Sequence, residues 1–457
     1  MPETTKSVLA ESPSRYPPGP RGGFFGVKYV GELQRDPMTF TKKVFDQYGD
    51  FTYVRLGWVR LYFVNRPTLI REVLTSKMKY FRRLPKQMKA LRKIEGDGLV
   101  VSEGSIWARH RPVVQGIFHQ RYFANYAVQV EAFTRRWMKS LQPDTPFDLA
   151  ESMNQLALQI IAKLVFDVDL IDEAGRLRQA IHDFRAAMQS EVNSPIHWLF
   201  IRQKIRQRRG LRAMNDMLWR FIREHRAATT PKLDMLGLIM AVGDQVTNGP
   251  PISDAEIRDE VSTLFVAGHD TTSAALAWFW YCLAKNPDVE ARIIEEVDRV
   301  VGNRTVHFED VAQLKYLEMT VKESMRLYPA AGYLFGRQAV ENVELGGHIV
   351  PKGAWVFMSP FVVHRDPNNY PNPEKFDPER FAPGRINDIP AYGYIPFGGG
   401  SRTCIGNGMA MMEIILLAAS VLQEYRLVLD PTQADPEIEL EIVLRPKGGL
   451  KMRAMPR

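Results

Sequence analysis

The chain has 457 residues, 45% hydrophobic and 25% charged, an ordinary globular composition with room for a large core. Its two cysteines, Cys282 and Cys404, exclude a disulfide framework and any four-cysteine zinc or iron–sulfur site, and they fit a reducing compartment. A formal charge of +8 is compatible with an anionic membrane, an acidic protein or no partner at all, while the lack of a zinc-finger or RNA-binding signature sets nucleic acid aside.

The polar opening, residues 1–16, has neither the apolar core of a signal peptide nor the ~20 apolar residues of a membrane anchor. Pro17-Pro18-Gly19-Pro20 reads as a stiff leading segment, so the expected division is a polar, proline-rich stretch over 1–20 and one large domain over 21–457. Alternation in FTYVRLGWVRLYFV (Phe51 to Val64), broken at Gly57-Trp58, predicts a hairpin. Between Lys86 and Val101, Lys86, Lys89, Arg92 and Lys93 share one helical face. A solvated surface is the favoured reading of that face, and a cationic pocket mouth is the other.

Trp107 and Arg111 are four apart, so they share a face of the next helix. From about Phe123 to Arg226 helix follows helix. NSPIHWLFIRQKIRQRRG (Asn193 to Gly210) joins an apolar run to a basic one at 202–209, read as a core helix followed by a solvated one rather than a membrane contact.

The longest helical pattern begins at the capping box Ser253-x-x-Glu256 and ends at Lys285-Asn286-Pro287. At ~1.5 Å per residue it runs on the order of 45–50 Å, enough to cross a domain. Its centre, AGHDTT (Ala267 to Thr272), holds a glycine and two threonines that disfavour helix. The reading is a thinned wall, where Ala267 and Gly268 admit a flat group and Asp270 and Thr271 form a polar notch. Cys282, in AALAWFWYCLA, reads as core.

Phe308 to Pro329 reads as one further helix carrying Glu323-x-x-Arg326, and the turns at Gly346-Gly347 and Pro351-Lys352-Gly353 predict a small sheet. PFGGGSRTCIGNG (Pro396 to Gly408) then places Cys404 between glycines and the start of an apolar helix. Glycines let backbone amides approach a sulfur, and a helix start adds positive potential, both of which favour a thiolate. A dinucleotide fingerprint fails because its third glycine would fall at Thr403, and a phosphate loop fails because Gly406 precedes Asn407.

Phe397, Gly400, Arg402, Cys404 and Gly406 complete the pattern F-x-x-G-x-R-x-C-x-G, which resembles the haem-binding loop of the cytochrome P-450 family. The resemblance extends from about Pro17 to Arg445 through Trp107-x-x-x-Arg111, Asp270-Thr271, Glu323-x-x-Arg326 and Arg380 in FDPERF, all in family order. It implies a mainly α fold with small β-sheets, one large haem domain, and haem b (iron protoporphyrin IX) with Cys404 as the iron ligand. By the same resemblance Trp107, Arg111, Arg337 and Arg402 hold the propionates, and Ala267, Phe397 and Gly406 lie against the haem. Glu323, Arg326 and Arg380 brace the loop, while Asp270 and Thr271 deliver protons to dioxygen.

The implied activity is monooxygenation of a hydrophobic small molecule (a terpenoid, fatty acid or steroid) by O2. The family's pocket-lining segments include here Leu99, Val100, Phe265, Val266, Ala330, Ala331, Leu334 and Val443, which are apolar. With no flavin or ferredoxin module after Cys404, electrons are expected from a separate acidic ferredoxin or flavodoxin with its reductase, docking near Arg109, Arg121 and Arg385. A cytoplasmic protein without a transmembrane anchor is expected. A peroxide-driven peroxygenase and a non-catalytic haem-thiolate sensor or carrier are the alternatives, and the acid–threonine pair weighs against both.

Overall fold

The computed structural model describes residues 16–20, 26–169, 201–230, 232–245 and 250–457, which form a mainly helical fold with small sheets. Helices α1 (Val27–Arg35) and α2 (Pro37–Tyr48) meet at Asp36, whose carboxylate caps α2 at the Thr39 amide while Pro37 fills the first turn. The predicted hairpin follows as β1 (Phe51–Leu56) and β2 (Val59–Val64), antiparallel across Gly57 at φ 58°.

The proline-rich segment is docked on this hairpin rather than standing off as a spacer. Tyr53 donates its amide to the Pro18 carbonyl at 3.0 Å, and the Tyr16 and Tyr53 rings stack at 4.5 Å. Residues 1–15 and 21–25, which carry the rest of the expected leading segment and the start of the domain, lie outside the described residues.

Next come α3 (Pro67–Leu74), β3 (Phe81–Arg83), α4 (Pro85–Glu95), α5 (Gly104–Ile117), α6 (Phe123–Met138), β4 (Phe147–Asp148) and α7 (Leu149–Phe166). The apolar half of the Asn193–Gly210 stretch also falls outside the described residues. Its basic half enters α8 (Ile201–Ala227), where Arg208 and Arg209 are exposed. Helix α9 (Met235–Asp244) is capped by Asp234 at the Gly237 amide.

The long helix α10 (Asp254–Lys285) begins at the capping box as expected, and its 32 residues span about 48 Å. It is continuous through Gly268 and packs against α4, α7, α8 and α9 among others, which puts it at the centre of the core. A methyl group on Gly268 would come within 2.8 Å of Ile161 Cδ1, so this glycine lets α10 and α7 approach closely.

Helix α11 (Pro287–Val300) is followed by two helical pieces, a short one at Phe308–Val311 and α12 (Lys315–Leu327), not by the single helix expected from Phe308 to Pro329. The break has a tertiary cause. Glu296 of α11 accepts from the Tyr316 and Leu317 amides at 2.9 Å each, so α12 is capped by a residue of another helix.

Strands β5 (Arg337–Ala339), β6 (Val343–Leu345), β7 (His348–Val350) and β8 (Trp355–Phe357) precede α13 (Asn407–Glu424), β9 (Tyr425–Leu429), β10 (Ile438–Leu440), β11 (Leu444–Pro446) and β12 (Lys451–Pro456). The largest sheet has the order β1-β2-β8-β5-β3. Within it β3 runs antiparallel to β5 and sets Arg83 directly opposite Arg337. Among the described residues no helix is long and apolar enough to cross a membrane.

Candidate active site

The cysteine turn is folded by its own backbone. Gly398 and Gly400 take left-handed conformations (φ 72° and 68°), the Cys404 amide donates to the Phe397 carbonyl at 2.9 Å, and the Thr403 hydroxyl donates to the Gly400 carbonyl at 2.7 Å. A methyl group on Gly400 would lie 2.2 Å from the Leu74 carbonyl, so the turn is pressed against α3.

The freedom of Gly398 and Gly400 thus goes into the turn and its seat. It is the Gly406 amide that hydrogen-bonds the Cys404 sulfur. Although Cys404 is exposed, the surrounding protein withholds enough water to push its thiol pKa up, against the opposing pull of the Gly406 amide and Arg111. A cation at the sulfur would oppose that rise and favour the thiolate.

Behind the turn, Arg326 and Glu323 are fully buried and paired in bidentate fashion at 2.7 and 2.9 Å. Arg380 Nε lies 3.4 Å from Glu323 Oε1 and its Nη2 donates to the Asn372 carbonyl. The link from this group to the turn is His364, which the sequence reading missed. Arg326 donates to the His364 carbonyl at 2.8 Å, and His364 Nε2 accepts from the Ile395 amide at 2.8 Å, one residue before Pro396. Burial, seconded by Arg326, pushes the His364 pKa down to about 3, so the ring stays neutral and can accept.

Beside the turn is a concentration of positive charge. Arg111 of α5 donates to the Thr403 carbonyl at 3.1 and 3.2 Å, while Arg402 lies 4.1 Å over the Trp107 ring and donates to the Ser102 carbonyl at 3.0 Å. Arg337 donates to the Phe335 carbonyl. Arg83, which carries no motif and was not foreseen, joins them across the β3–β5 register. Burial and mutual repulsion lower the Arg83 pKa to about 9 and that of Arg402 to about 10, with Glu103 as an opposing charge. Arg83 Nη1 is buried without a hydrogen-bond partner among the described residues. Like charges directly opposite in a sheet are destabilising, so this cluster is suited to an anionic group such as a carboxylate.

On α10, Ala267 and Thr271 are exposed although the helix runs through the core, and solvent-accessible space opens along that face. The helix stays continuous here, and the Thr271 hydroxyl is turned back onto it, donating to the Ala267 carbonyl at 2.8 Å. Asp270 is buried on another side, with Asn154 Nδ2 and His269 Nε2 each 3.4 Å from its Oδ1 and Arg445 Nη2 at 3.8 Å.

Of the expected pocket residues, Val100, Val266, Ala330, Ala331 and Leu334 are partly exposed, and Leu99 and Val443 are buried. Phe265 is a correction. It is 0% exposed, with its ring 5.8 Å from Phe166, because it projects into the core between α10 and α7.

The cations Lys86, Lys89, Arg92 and Lys93 lie exposed on α4 while Met88, Leu91 and Ile94 face inward, in keeping with the solvated face. Arg109, expected at a docking surface, is instead paired with Glu256 of α10.

A family model described as Cytochrome P450 matches residues 17–452. Among curated proteins the chain is 33% identical to cyclooctatin synthase of Streptomyces melanosporofaciens, over 93% of this chain and 92% of that protein. It is 32% identical to cyclooctat-9-en-7-ol 5-monooxygenase of the same organism (86% of each) and 28% identical to pentalenene oxygenase of Streptomyces avermitilis (94% and 95%).

Proposed function

Since the chain belongs to the cytochrome P450 family and is a haem b monooxygenase, we propose that its substrate is a terpenoid and that a separate ferredoxin or flavodoxin supplies its electrons. Two of the relatives are named for an olefin and an olefinic alcohol, and the partly exposed Val100, Val266, Ala330, Ala331 and Leu334 offer a surface suited to such a molecule.

The observation that carries the site assignment is the Cys404 turn lying beside the cluster of Arg83, Arg111, Arg337 and Arg402, of which Arg83 and Arg337 are buried. Cys404 would ligate the haem iron, with the Gly406 amide moderating charge on the sulfur. Arg83, Arg111, Arg337 and Arg402 would take the two propionates, with Trp107 supporting Arg402 through its ring. Ala267 would let the macrocycle lie close to α10, with Phe397 on the side of the sulfur. When bound there, haem would supply the chemistry for reducing O2 with two electrons and two protons, one oxygen atom going to the substrate and the other leaving as water.

Thr271 offers a hydroxyl at the exposed face, and Asp270 one residue away would relay protons to it on leaving its present partners. Glu323, Arg326, Arg380 and His364 would hold the turn at its position. This acid–threonine pair supports a route driven by reductant and O2 over one driven by peroxide. Arg121 and Arg385, both exposed, would steer an acidic electron donor, and a reducing cytoplasm suits the free thiols of Cys282 and Cys404.

The test is spectral. Reduced protein with carbon monoxide should show the red-shifted band of thiolate ligation, and Cys404→His should move it to the histidine-ligated position. Spin-state titration should rank olefinic terpenoids above fatty acids and steroids of similar size. A fatty acid binding more tightly than every terpenoid tried would overturn the substrate assignment.

A further inference from the structure

On α10, Glu256, Glu260, Thr263, Ala267 and Thr271 follow one another at spacings of three and four, so they form one stripe along a single helix face. The far half of that stripe is the exposed Ala267–Thr271 face. The near half is covered by residues 96–103, which join α4 to α5 and carry Leu99 and Val100.

These covering residues are fastened to α10 through their backbone. Glu260 is 0% exposed, and one of its carboxylate oxygens accepts from the Leu99 amide at 3.1 Å while the other meets His110 Nδ1 at 2.7 Å. Asp259 accepts from the Asp97 amide at 2.7 Å. Gly98 lies so close that a methyl group there would fall 2.1 Å from Thr263 Oγ1 and 2.6 Å from the Asp259 carbonyl.

The other end is held at the arginine cluster, where the Ser102 carbonyl accepts from Arg402 and Glu103 accepts from the Arg83 amide. His110 is itself held from its second nitrogen, Nε2 lying 3.3 Å from Glu256, which also pairs with Arg109.

We propose that Glu260 is a positioning residue for substrate selection, clamping residues 96–103 onto α10 and so fixing the pocket wall that Leu99 and Val100 form. Burying a carboxylate is costly, and a pair such as Glu260–His110 serves geometry better than net stability. Burial indeed pushes the Glu260 pKa up despite the His110 and Leu99 contacts. Glu95, on α4, adds a second buried acid beside the same stripe, 3.4 Å from the Thr263 hydroxyl.

A hydrogen bond to a buried carboxyl oxygen holds a backbone amide more firmly than van der Waals contact does, and losing it is worth about tenfold in an opening equilibrium. With the clamp closed, the wall has one position and discriminates ligands by size. With it open, the wall yields and that discrimination weakens.

The inference rests on the reading that Leu99 and Val100 line the pocket, and the experiment separates the two. In the haem-loaded protein without ligand, Glu260→Leu should raise amide hydrogen exchange over residues 97–101 about tenfold. Glu260→Gln, which keeps an acceptor for the Leu99 amide, should restore slow exchange. Asp259→Ala, at a partly exposed position, provides a milder variant if Glu260→Leu folds poorly.

Spin-state titration with a series of lipophiles of increasing size should then show the spread of dissociation constants narrowing in Glu260→Leu and recovering in Glu260→Gln. Unchanged exchange in Glu260→Leu and Asp259→Ala overturns the clamp. Faster exchange with an unchanged ranking overturns the pocket-wall reading and the selection role with it.

Discussion

Asp270 Oδ1 lies 3.8 Å from Arg445 Nη2, an ion pair between the acid of the acid–threonine pair and a strand 175 residues later in the chain. Arg445 belongs to β11, beside Val443, and also lies 3.5 Å from Glu441. Any shift of this C-terminal hairpin on ligand binding is therefore felt at the carboxylate. Asp270→Asn should slow product formation about a hundredfold, at the lower end for a lost proton-transfer group, while leaving the ligand-induced spin shift in place. An unchanged rate would remove Asp270 from the proton path. Arg445→Gln should slow turnover less and loosen residues 438–446, read as faster amide exchange.

Thr271→Ala removes the hydroxyl bonded to the Ala267 carbonyl and leaves that carbonyl to solvent. Because the position is exposed, stability should change by less than about 1 kcal/mol. Electron consumption should continue while product per electron falls severalfold, measured as reductant oxidised against product formed. Full coupling in this variant argues against a role for the hydroxyl.

Arg83 and Arg337 repel each other across the β3–β5 register, and an anion between them offsets that repulsion. Arg83→Leu should therefore speed loss of haem to an acceptor protein about ten- to a hundredfold, the worth of a charge-assisted hydrogen bond. The haem-free protein should lose little stability or gain some, since a buried like-charge contact disappears. Equal retention in wild type and variant would place the propionates elsewhere.

His364 gives the fold an acid limit. Its pKa falls from 6.5 to about 3 on folding, so the unfolded chain takes up a proton that the native chain refuses. Its contribution is whole above about pH 6.5 and is lost as pH falls toward 3, where the deficit reaches roughly 5 kcal/mol. Denaturant unfolding at about pH 7 and pH 4.5 should show a loss of about 2–3 kcal/mol from this residue alone. The difference should shrink in His364→Asn, which cannot titrate.

The parts of the site that were legible in the sequence are those set by short spacings. Phe397 to Gly406 form one uninterrupted ten-residue pattern, and Glu323 with Arg326, Trp107 with Arg111 and Ser253 with Glu256 each lie about one helical turn apart, so residue type and interval were enough. What escaped depends on pairings that spacing does not encode. Arg83 meets Arg337 across a sheet, His364 meets Ile395 after an irregular stretch, and Glu296 caps a helix it does not belong to. The side taken by Phe265 was misread for a different reason. Helix α10 buries polar residues such as Glu260, Thr263, His269 and Asp270 beside its apolar ones, so polarity does not separate the residues that look into the pocket from those that look into the core.

The contact between Gly268 and Ile161 leaves α10 no slack on the side facing α7. A substituent at Gly268 would have to roll or push the helix, and Thr271, less than one turn away, would be carried with it. The position of the exposed Ala267–Thr271 face is thus set from the rear, by the Ile161 side chain. On the proposed reading of that face, variation at Ile161 would steer which carbon of a substrate is presented while leaving Val100, Val266, Ala330, Ala331 and Leu334 unaltered.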